Sequence, residues 1–174
     1  MNRTTSRRRK RARMRWTDFR KPLPAAETAD RIVLIGQAPN RIGRDDVLVR
    51  ACARLALFAD LRLDDLLGRT DRVNLFLVFP GKNGKGDSFN DKLARSRARR
   101  MTPGLFDRRV ILLGRRVARA FDFRESVFTF HLHHGADIAM MPHPSGINPF
   151  YNDSANRRRA GKFLRSALSS TRAP

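Results

Sequence analysis

The sequence predicts an α/β fold, a three-layer α/β/α sandwich around a central, mainly parallel sheet of four to five strands. Short apolar runs typical of strands alternate along the chain with segments whose apolar residues recur at helical spacing. Some of the runs are almost continuously apolar, as expected for strands covered on both faces. Alternation of this kind favours a parallel sheet with helices on both sides.

Five segments are predicted as strands because each is short, apolar and followed by a glycine, a proline or a polar turn. They are "RIVLIG", "RVNLFLVF", "RRVILLG", "SVFTFHL" and "DIAMMP", at residues 31–36, 72–79, 108–114, 126–132 and 137–142. The segment "PGKNGKGDSFND", residues 80–91, is predicted to be a flexible basic loop.

Three segments are predicted as helices. The first runs from Asp46 to Leu67, with Gly68 able to end it, and the second begins at "RRVARAF", residues 115–121. The third runs from Ser154 to Leu168, with Asp153 or Ser154 as N-cap. Its expected buried side comprises Ala160, Phe163, Leu164, Ala167 and Leu168.

The charge of the chain points to a polyanionic partner. The 174 residues carry a formal net charge of +21. Nucleic acid is the first candidate and an anionic membrane surface the second. Residues 1–24, with "RRRKRARMR", are predicted to be a disordered tail that lies along phosphates, and residues 25–174 a single domain. The alternative for the tail is a solvated extension or a targeting signal.

Several classes of protein are disfavoured. No apolar run approaches the length of a membrane span, and the N-terminus has no apolar signal core. The single cysteine, Cys52, excludes an internal disulfide and any four-cysteine zinc or iron–sulfur site. We therefore expect a monomer without metal or cofactor that does not enter a membrane. We expect it in the cytoplasm, associated with the nucleoid if the source is bacterial.

Polar residues follow the predicted strands where an α/β sheet binds its ligands. "GQAPN" follows the first strand, Asn74 lies in the second, and "HPSGIN" follows the last. Pro142 and Pro144 hold His143 in an extended, stiff backbone. Two amides and a histidine on a positive protein suggest a pocket for a nucleobase.

These segments resemble the uracil-DNA glycosylase superfamily in order and spacing, over about residues 32–168. "GQAPN" resembles the Gly-x-x-Pro turn at the mouth of the family's base pocket, and "PHPSGIN" its last motif. The "PSGIN" part is closer to the mismatch-specific branch, which has Asn where His143 stands. The ordered set, with "VNLFLVFP" and "VILLGRRVARAF", is more specific than either motif alone.

The resemblance implies a glycosylase that flips a base from DNA and hydrolyses its N-glycosidic bond. His143 would stabilise the departing base near O2, Asn74 would hold the uracil edge, and the main chain around Gln37 would assist. Asn40 stands where one branch has a Tyr that excludes thymine, so broader base selectivity is expected. The residues expected on DNA are Ser145, Gly146, Ile147, Asn148, Phe150, Lys82 and Lys85.

Within that set, Ser145 and Gly146 would grip a flanking phosphate. Ile147 would fill the gap left by the flipped nucleotide, with Phe150 or Tyr151 as alternatives. Lys82 and Lys85 would belong to a mobile basic loop on DNA.

The chain departs from the family's pattern at the position of the acid that orients the attacking water. Ala38 and Gln37 occupy the positions at which two branches carry Asp and Glu. A third branch takes its Asp from a later segment, and its "NRxGR" resembles "NRIGR" directly before Asp45 and Asp46. One of these would be the displaced acid, with Asp46 preferred. The alternative is that either residue caps the next helix.

Other interpretations stay open. "HLHH", residues 131–134, could suggest zinc, but a polar turn or a phosphate contact fits better without Cys or a suitable acid. "GKNGKG", residues 81–86, lacks the spacing of a nucleotide-binding P-loop. A glycosylase fold that binds DNA without catalysis is the main alternative function, and an RNA-binding module is a third.

Overall fold

A five-stranded sheet forms the centre of the molecule. The computed structural model describes residues 31–39, 48–83 and 86–170. The sheet has the strand order β2-β1-β5-β7-β6, and β3 and β4 form a separate two-stranded ribbon. The strands are β1 Ile32–Gly36, β2 Thr70–Asn74, β3 Lys82–Asn83, β4 Gly86–Asp87, β5 Arg109–Leu113, β6 His131–His133 and β7 Ala136–Met141.

Helices cover both faces of this sheet. They are α1 Val49–Ala59, α2 Leu63–Gly68, α3 Asp91–Met101, α4 Arg115–Ala120 and α5 Ser154–Ser169. Two short 3₁₀ turns follow α3 and precede α5, at Thr102–Leu105 and Pro149–Asn152. Helix α1 packs against α5, and α3 packs against α4. The predicted three-layer α/β/α sandwich is confirmed.

The sheet is parallel except at one edge. Strand β1 pairs in parallel with β2 and β5, and β5 pairs in parallel with β7. Strand β6 is antiparallel to β7 and joins it through His134 and Gly135, both with positive φ. Positive φ at both central residues of a two-residue connection is the geometry of a type I′ hairpin.

Two apolar clusters hold the layers together, one on each side of the sheet. Along β1, Val33 and Ile35 face the cluster with α3 and α4, whereas Ile32 and Leu34 face the cluster with α1, α2 and α5. This alternation is the period of two that an extended strand imposes. Leu34 is fully buried, and burying a side chain of this kind stabilises a fold by about 1.5–3 kcal/mol.

Two predicted strands are shorter than expected. Strand β2 ends at Asn74, although the apolar run continues to residue 79. Leu75 and Phe76 stay buried and donate to the main-chain oxygens of Gly36 and Gln37, so the run follows the first strand beyond the sheet. The strand was predicted too long because a buried loop and a buried strand have the same run of apolar residues in the sequence.

The segment at 126–132 forms a strand only at its end. Val127 makes a single parallel bridge to Met140, and the regular strand is confined to His131–His133. Phe128 has φ 63°, a left-handed conformation that interrupts an extended chain.

The predicted helix from residue 46 to 67 is two helices. Asp60, at φ 51°, ends α1 with its N–H directed at Ala56 and Leu57 carbonyls, and α2 then runs to Gly68. Residues 46 and 47 lie outside the described part. A left-handed residue ends a helix even where the apolar spacing continues.

Helix α3 was not predicted. Its buried residues Ala94, Arg97, Ala98 and Met101 recur at helical spacing, and the Asn90 Oδ1 atom caps it by accepting from Leu93 N. Small alanines among many arginines give a weak apolar signal. The segment at 80–91, expected as a flexible loop, includes the β3–β4 ribbon in its described part.

Helix α5 agrees with its prediction. It begins after Asp153, whose Oδ1 atom accepts from Ala155 N, and buries Ala160, Leu164 and Ala167. Among the helices that the structure describes, none combines the length and apolar character needed to cross a bilayer. The predicted basic tail lies outside the described residues.

Candidate functional site

The carboxyl ends of four parallel strands meet at one edge of the sheet. Gly36 pairs with Asn74, and Leu113 pairs with Met141, so these strands end at nearly the same level. The next residue after β5, Gly114, donates its N–H to Met141 O at 2.7 Å. Segments that leave these strands are therefore brought together, which is where α/β sheets bind ligands.

A cavity of about 690 Å³ opens at this edge, beside the ends of β5 and β7. Four of the predicted site residues line it, namely Gln37, His143, Asn148 and Phe150. Its remaining lining residues are Leu113, Gly114, Arg115, Arg116, Val117, Arg119, Val127, Pro142 and Pro149. No acidic side chain is present among these described lining residues, so the cavity is electropositive.

His143 is half-buried immediately after β7, between its two prolines. Its β-carbon lies across from Gly114, where an added β-carbon would come within 3.3 Å. Gly114 also has φ 102°, a conformation that L side chains rarely adopt. The glycine that ends β5 therefore allows the histidine to sit close to the neighbouring strand.

The loop after His143 is held by its own hydrogen bonds. The His143 carbonyl accepts from Ser145 N at 2.8 Å and from Asn148 Nδ2 at 2.7 Å. Asn148 Oδ1 accepts from Phe150 N at 3.1 Å. Asn148 was predicted to contact DNA, and in the structure its amide joins the two ends of the loop.

Tyr151 anchors this loop to the core. It is buried, its hydroxyl donates to Pro142 O at 2.8 Å, and its ring stacks on Phe58 of α1 with centroids 4.8 Å apart. Burial raises the pKa of the Tyr151 hydroxyl. Of the three wedge alternatives, Tyr151 is inside the fold, Phe150 is half-buried, and Ile147 is 90% exposed.

Asn74 ends β2 at the same edge, but it does not line the cavity. Its side chain is buried beside Gly36, and its Oδ1 atom has no hydrogen-bond partner in the described part of the chain. A β-carbon on Gly36 would meet that oxygen at 2.5 Å. Buried polar atoms are normally paired, whereas this one has no partner among the described residues and lies outside the cavity lining.

The first motif is only partly described. Gln37 lines the cavity and its carbonyl accepts from Phe76 N at 2.9 Å. Ala38, at the position where the resemblance led us to expect an acid, packs against the apolar cluster beside α3 and α4. Asn40, Asp45 and Asp46 lie outside the described residues, as does Lys85, so their roles stay predictions.

The remaining predicted DNA contacts are accessible. Gly146 and Ile147 are exposed and Ser145 is half-buried in the loop after His143. Lys82 is exposed on the β3–β4 ribbon.

The histidine-rich segment at 131–134 forms β6 and its turn. His133 Nε2 lies 2.9 Å from Phe121 O, and the His131 ring lies edge-on to Phe123. Within the described ranges, no three His, Cys, Asp or Glu side chains are grouped to hold a metal.

Four arginines around the site were not predicted. Arg115, Arg116 and Arg119 of α4 line the cavity, and the Arg116 guanidinium lies 5.8 Å from the centre of the Phe89 ring. Arg54 of α1 lies beside Gly146. The run "GRRVAR" directly after a strand was the available signal for the first three. No sequence signal pointed to Arg54, because Gly146, beside which it lies, is 92 positions further along the chain.

Comparison with known proteins adds no relative. No protein-family model matches the chain, and no curated protein matches it.

Proposed function

We propose that this protein is a monofunctional DNA glycosylase that flips uracil or a related base from DNA and hydrolyses its N-glycosidic bond. The observation that carries the proposal is the shared cavity of Gln37 and His143, with exposed Ile147 at its rim loop. One residue of each motif thus lines the same cavity, which supports the proposal drawn from the resemblance to uracil-DNA glycosylases.

The dimensions and charge of the cavity support a nucleotide ligand. Its volume of about 690 Å³ is in the range of small-molecule sites. Arg115 and Arg119 are exposed beside it, so they can attract the phosphates that flank a flipped base. The apolar lining at Val117, Val127 and Phe150 suits the faces of a base.

Rupture of the glycosidic bond places positive charge on the sugar and negative charge on the departing base. His143 would donate a hydrogen bond to that base, and stabilisation of this kind contributes about 10²–10³-fold to a rate. The resemblance assigns the N3–H of uracil to Asn74, whose Oδ1 atom is buried outside the cavity lining and has no hydrogen-bond partner in the described part of the chain. Asp45 or Asp46, with Asp46 preferred, would orient the attacking water.

A DNA-binding protein of the same fold without catalysis is the second candidate. Ala38, half-buried against an apolar cluster, stands at the position of the family's acid, and the cavity has no carboxylate among its described residues. If neither Asp45 nor Asp46 reaches the cavity, base binding remains but hydrolysis does not.

Base release from labelled oligonucleotides tests the two candidates. Single- and double-stranded substrates with one uracil would be incubated with wild type, His143→Ala, Asp45→Asn and Asp46→Asn at fixed salt. For a glycosylase, abasic sites form with wild type, fall about 10²–10³-fold with His143→Ala, and fall with one Asp variant only.

A matched control is His134→Ala, in the turn of the edge hairpin, which should release uracil as wild type does. Wild type that binds both substrates but forms no abasic sites would reject the enzyme and favour the DNA-binding protein. Equal rates in His143→Ala and His134→Ala would remove His143 from the mechanism.

A further inference from the structure

Arg54 lies against the loop that carries the predicted wedge. A β-carbon at position 146 would lie 2.7 Å from the Arg54 Nη1 atom, so the guanidinium occupies space that any larger residue would fill. Arg54 is exposed, and it forms no hydrogen bond or ion pair within the described residues. Its charge is therefore available to a ligand.

The same loop offers two main-chain donors. Ser145 N and Asn148 N close the turn by donating to His143 O and Ser145 O. The intervening N–H groups of Gly146 and Ile147 have no acceptor in the described part of the chain, and both residues are exposed. Consecutive free N–H groups beside a cation form a typical anion-binding concavity.

The resemblance already implies a flanking phosphate at Gly146, and we propose that Arg54 of α1 completes this site by binding the same phosphate together with the N–H groups of Gly146 and Ile147. This inference rests on the proposed function, because it takes DNA as the substrate. Its new element is a residue of α1 that the motifs do not contain. A guanidinium can donate two parallel hydrogen bonds to a phosphate.

The position of the loop between two helix layers supports a backbone phosphate. Arg54 belongs to α1, on one side of the sheet, whereas Arg115 and Arg119 of the cavity belong to α4, on the other. A nucleotide in the cavity would thus have cations on both sides of the loop bearing His143. Ile147 lies directly beside the proposed phosphate, as a wedge requires.

Binding to a duplex with a stable abasic analogue tests the site without any need for excision. Affinity would be measured by fluorescence anisotropy across a salt series for wild type, Arg54→Gln, Arg54→Lys and Lys162→Gln. Lys162 is exposed on α5, so Lys162→Gln is a control that removes the same charge away from the proposed site. We expect Arg54→Gln to weaken binding about tenfold at moderate salt and to flatten the slope of log K against log salt by about 0.9. Arg54→Lys should keep the slope, and Lys162→Gln should match wild type.

Gly146→Ala tests the contact itself. Gly146 is not in the left-handed region, so alanine fits the backbone and its methyl group displaces only the guanidinium. We expect Gly146→Ala to weaken binding as Arg54→Gln does, and the double variant to be no worse than either single one. Additive losses would mean that the two residues do not act together and would overturn the site. Thermal melting confirms that each variant is folded.

Competition with inorganic phosphate at constant ionic strength distinguishes a site for a DNA phosphate from a site for free phosphate. We expect no change in DNA affinity, and an Arg54-dependent displacement of DNA would instead assign the site to free phosphate. Arg54→Gln that binds as Lys162→Gln does would overturn the proposal, even if wild type releases uracil. Arg54-dependent binding without uracil release would leave this site standing and reject only the glycosylase.

Discussion

The Asn148 Nδ2 atom donates a hydrogen bond to the His143 carbonyl oxygen at 2.7 Å, while its Oδ1 atom accepts from Phe150 N. One amide thus fixes the candidate catalytic residue to the turn that precedes α5. A site on a loop needs such support, because small displacements of a catalytic group are costly.

Asn148→Ala should misplace His143 without removing it. Loss of both hydrogen bonds leaves polar groups unpaired, at a cost of about 1–3 kcal/mol in the free energy of unfolding. We expect base release to slow at least about tenfold, with the salt dependence of DNA binding unchanged. Asn152→Ala, an exposed asparagine of the same turn, is the control. Equal effects in both variants would deny Asn148 its positioning role.

Ile147→Ala should separate base flipping from stability. Because Ile147 is 90% exposed, its truncation should change the free energy of unfolding by less than about 0.5 kcal/mol. Flipping should weaken, and this can be followed by the fluorescence of 2-aminopurine beside the target base. Leu132→Ala, at 76% exposure on edge strand β6, is a matched control. A variant that flips bases as Leu132→Ala does would exclude Ile147 as the wedge.

Tyr151 should titrate above its ordinary range. Burial raises its pKa above the usual value of about 10, so the neutral hydroxyl is favoured in the folded state. The resulting stability is fully present below pH 10 and is lost as pH rises through the folded-state pKa. Tyr151 is the only tyrosine in the chain, so phenolate absorbance reports on it alone.

The native absorbance midpoint should therefore exceed that measured in urea. Tyr151→Phe should abolish the alkaline signal and lose the hydrogen bond to Pro142 O, which lowers stability at neutral pH by about 1 kcal/mol. Identical native and unfolded midpoints would show that the hydroxyl is hydrated in solution.

A buried ion pair links β2 to the residue before β5, at a site separate from the cavity lining. Asp71 of β2 accepts from Arg108 Nη2 at 2.6 Å and pairs with Arg31 Nε at 3.2 Å. Asp71→Ala should destabilise the fold by about 3–5 kcal/mol in urea unfolding, because Arg108 is left buried without its partner. Asp65→Ala, in the exposed pair with Arg62, is the control and should change little. Similar losses in both would mean that the Asp71 pair is not desolvated.

Predictions from sequence were reliable where local pattern and burial agree. The strands around Val33, Ile111 and Ala139 and the helix from Ser154 have the expected positions, because each buries an uninterrupted apolar pattern. They were wrong where one backbone angle ends an element, as at Asp60 and Phe128. Helix α3 was missed because its buried face is two alanines, an arginine and a methionine, which give a weak apolar signal.

The sequence alone determined the layered α/β class, the positive charge and the rigid backbone at His143, since these depend on composition and on neighbours along the chain. Tertiary structure alone decided that Asn148 holds His143, that Arg115 and Arg119 line the cavity, and that Arg54 lies beside Gly146. Such contacts depend on how distant segments pack against one sheet, and a pattern of neighbouring residues contains no record of them.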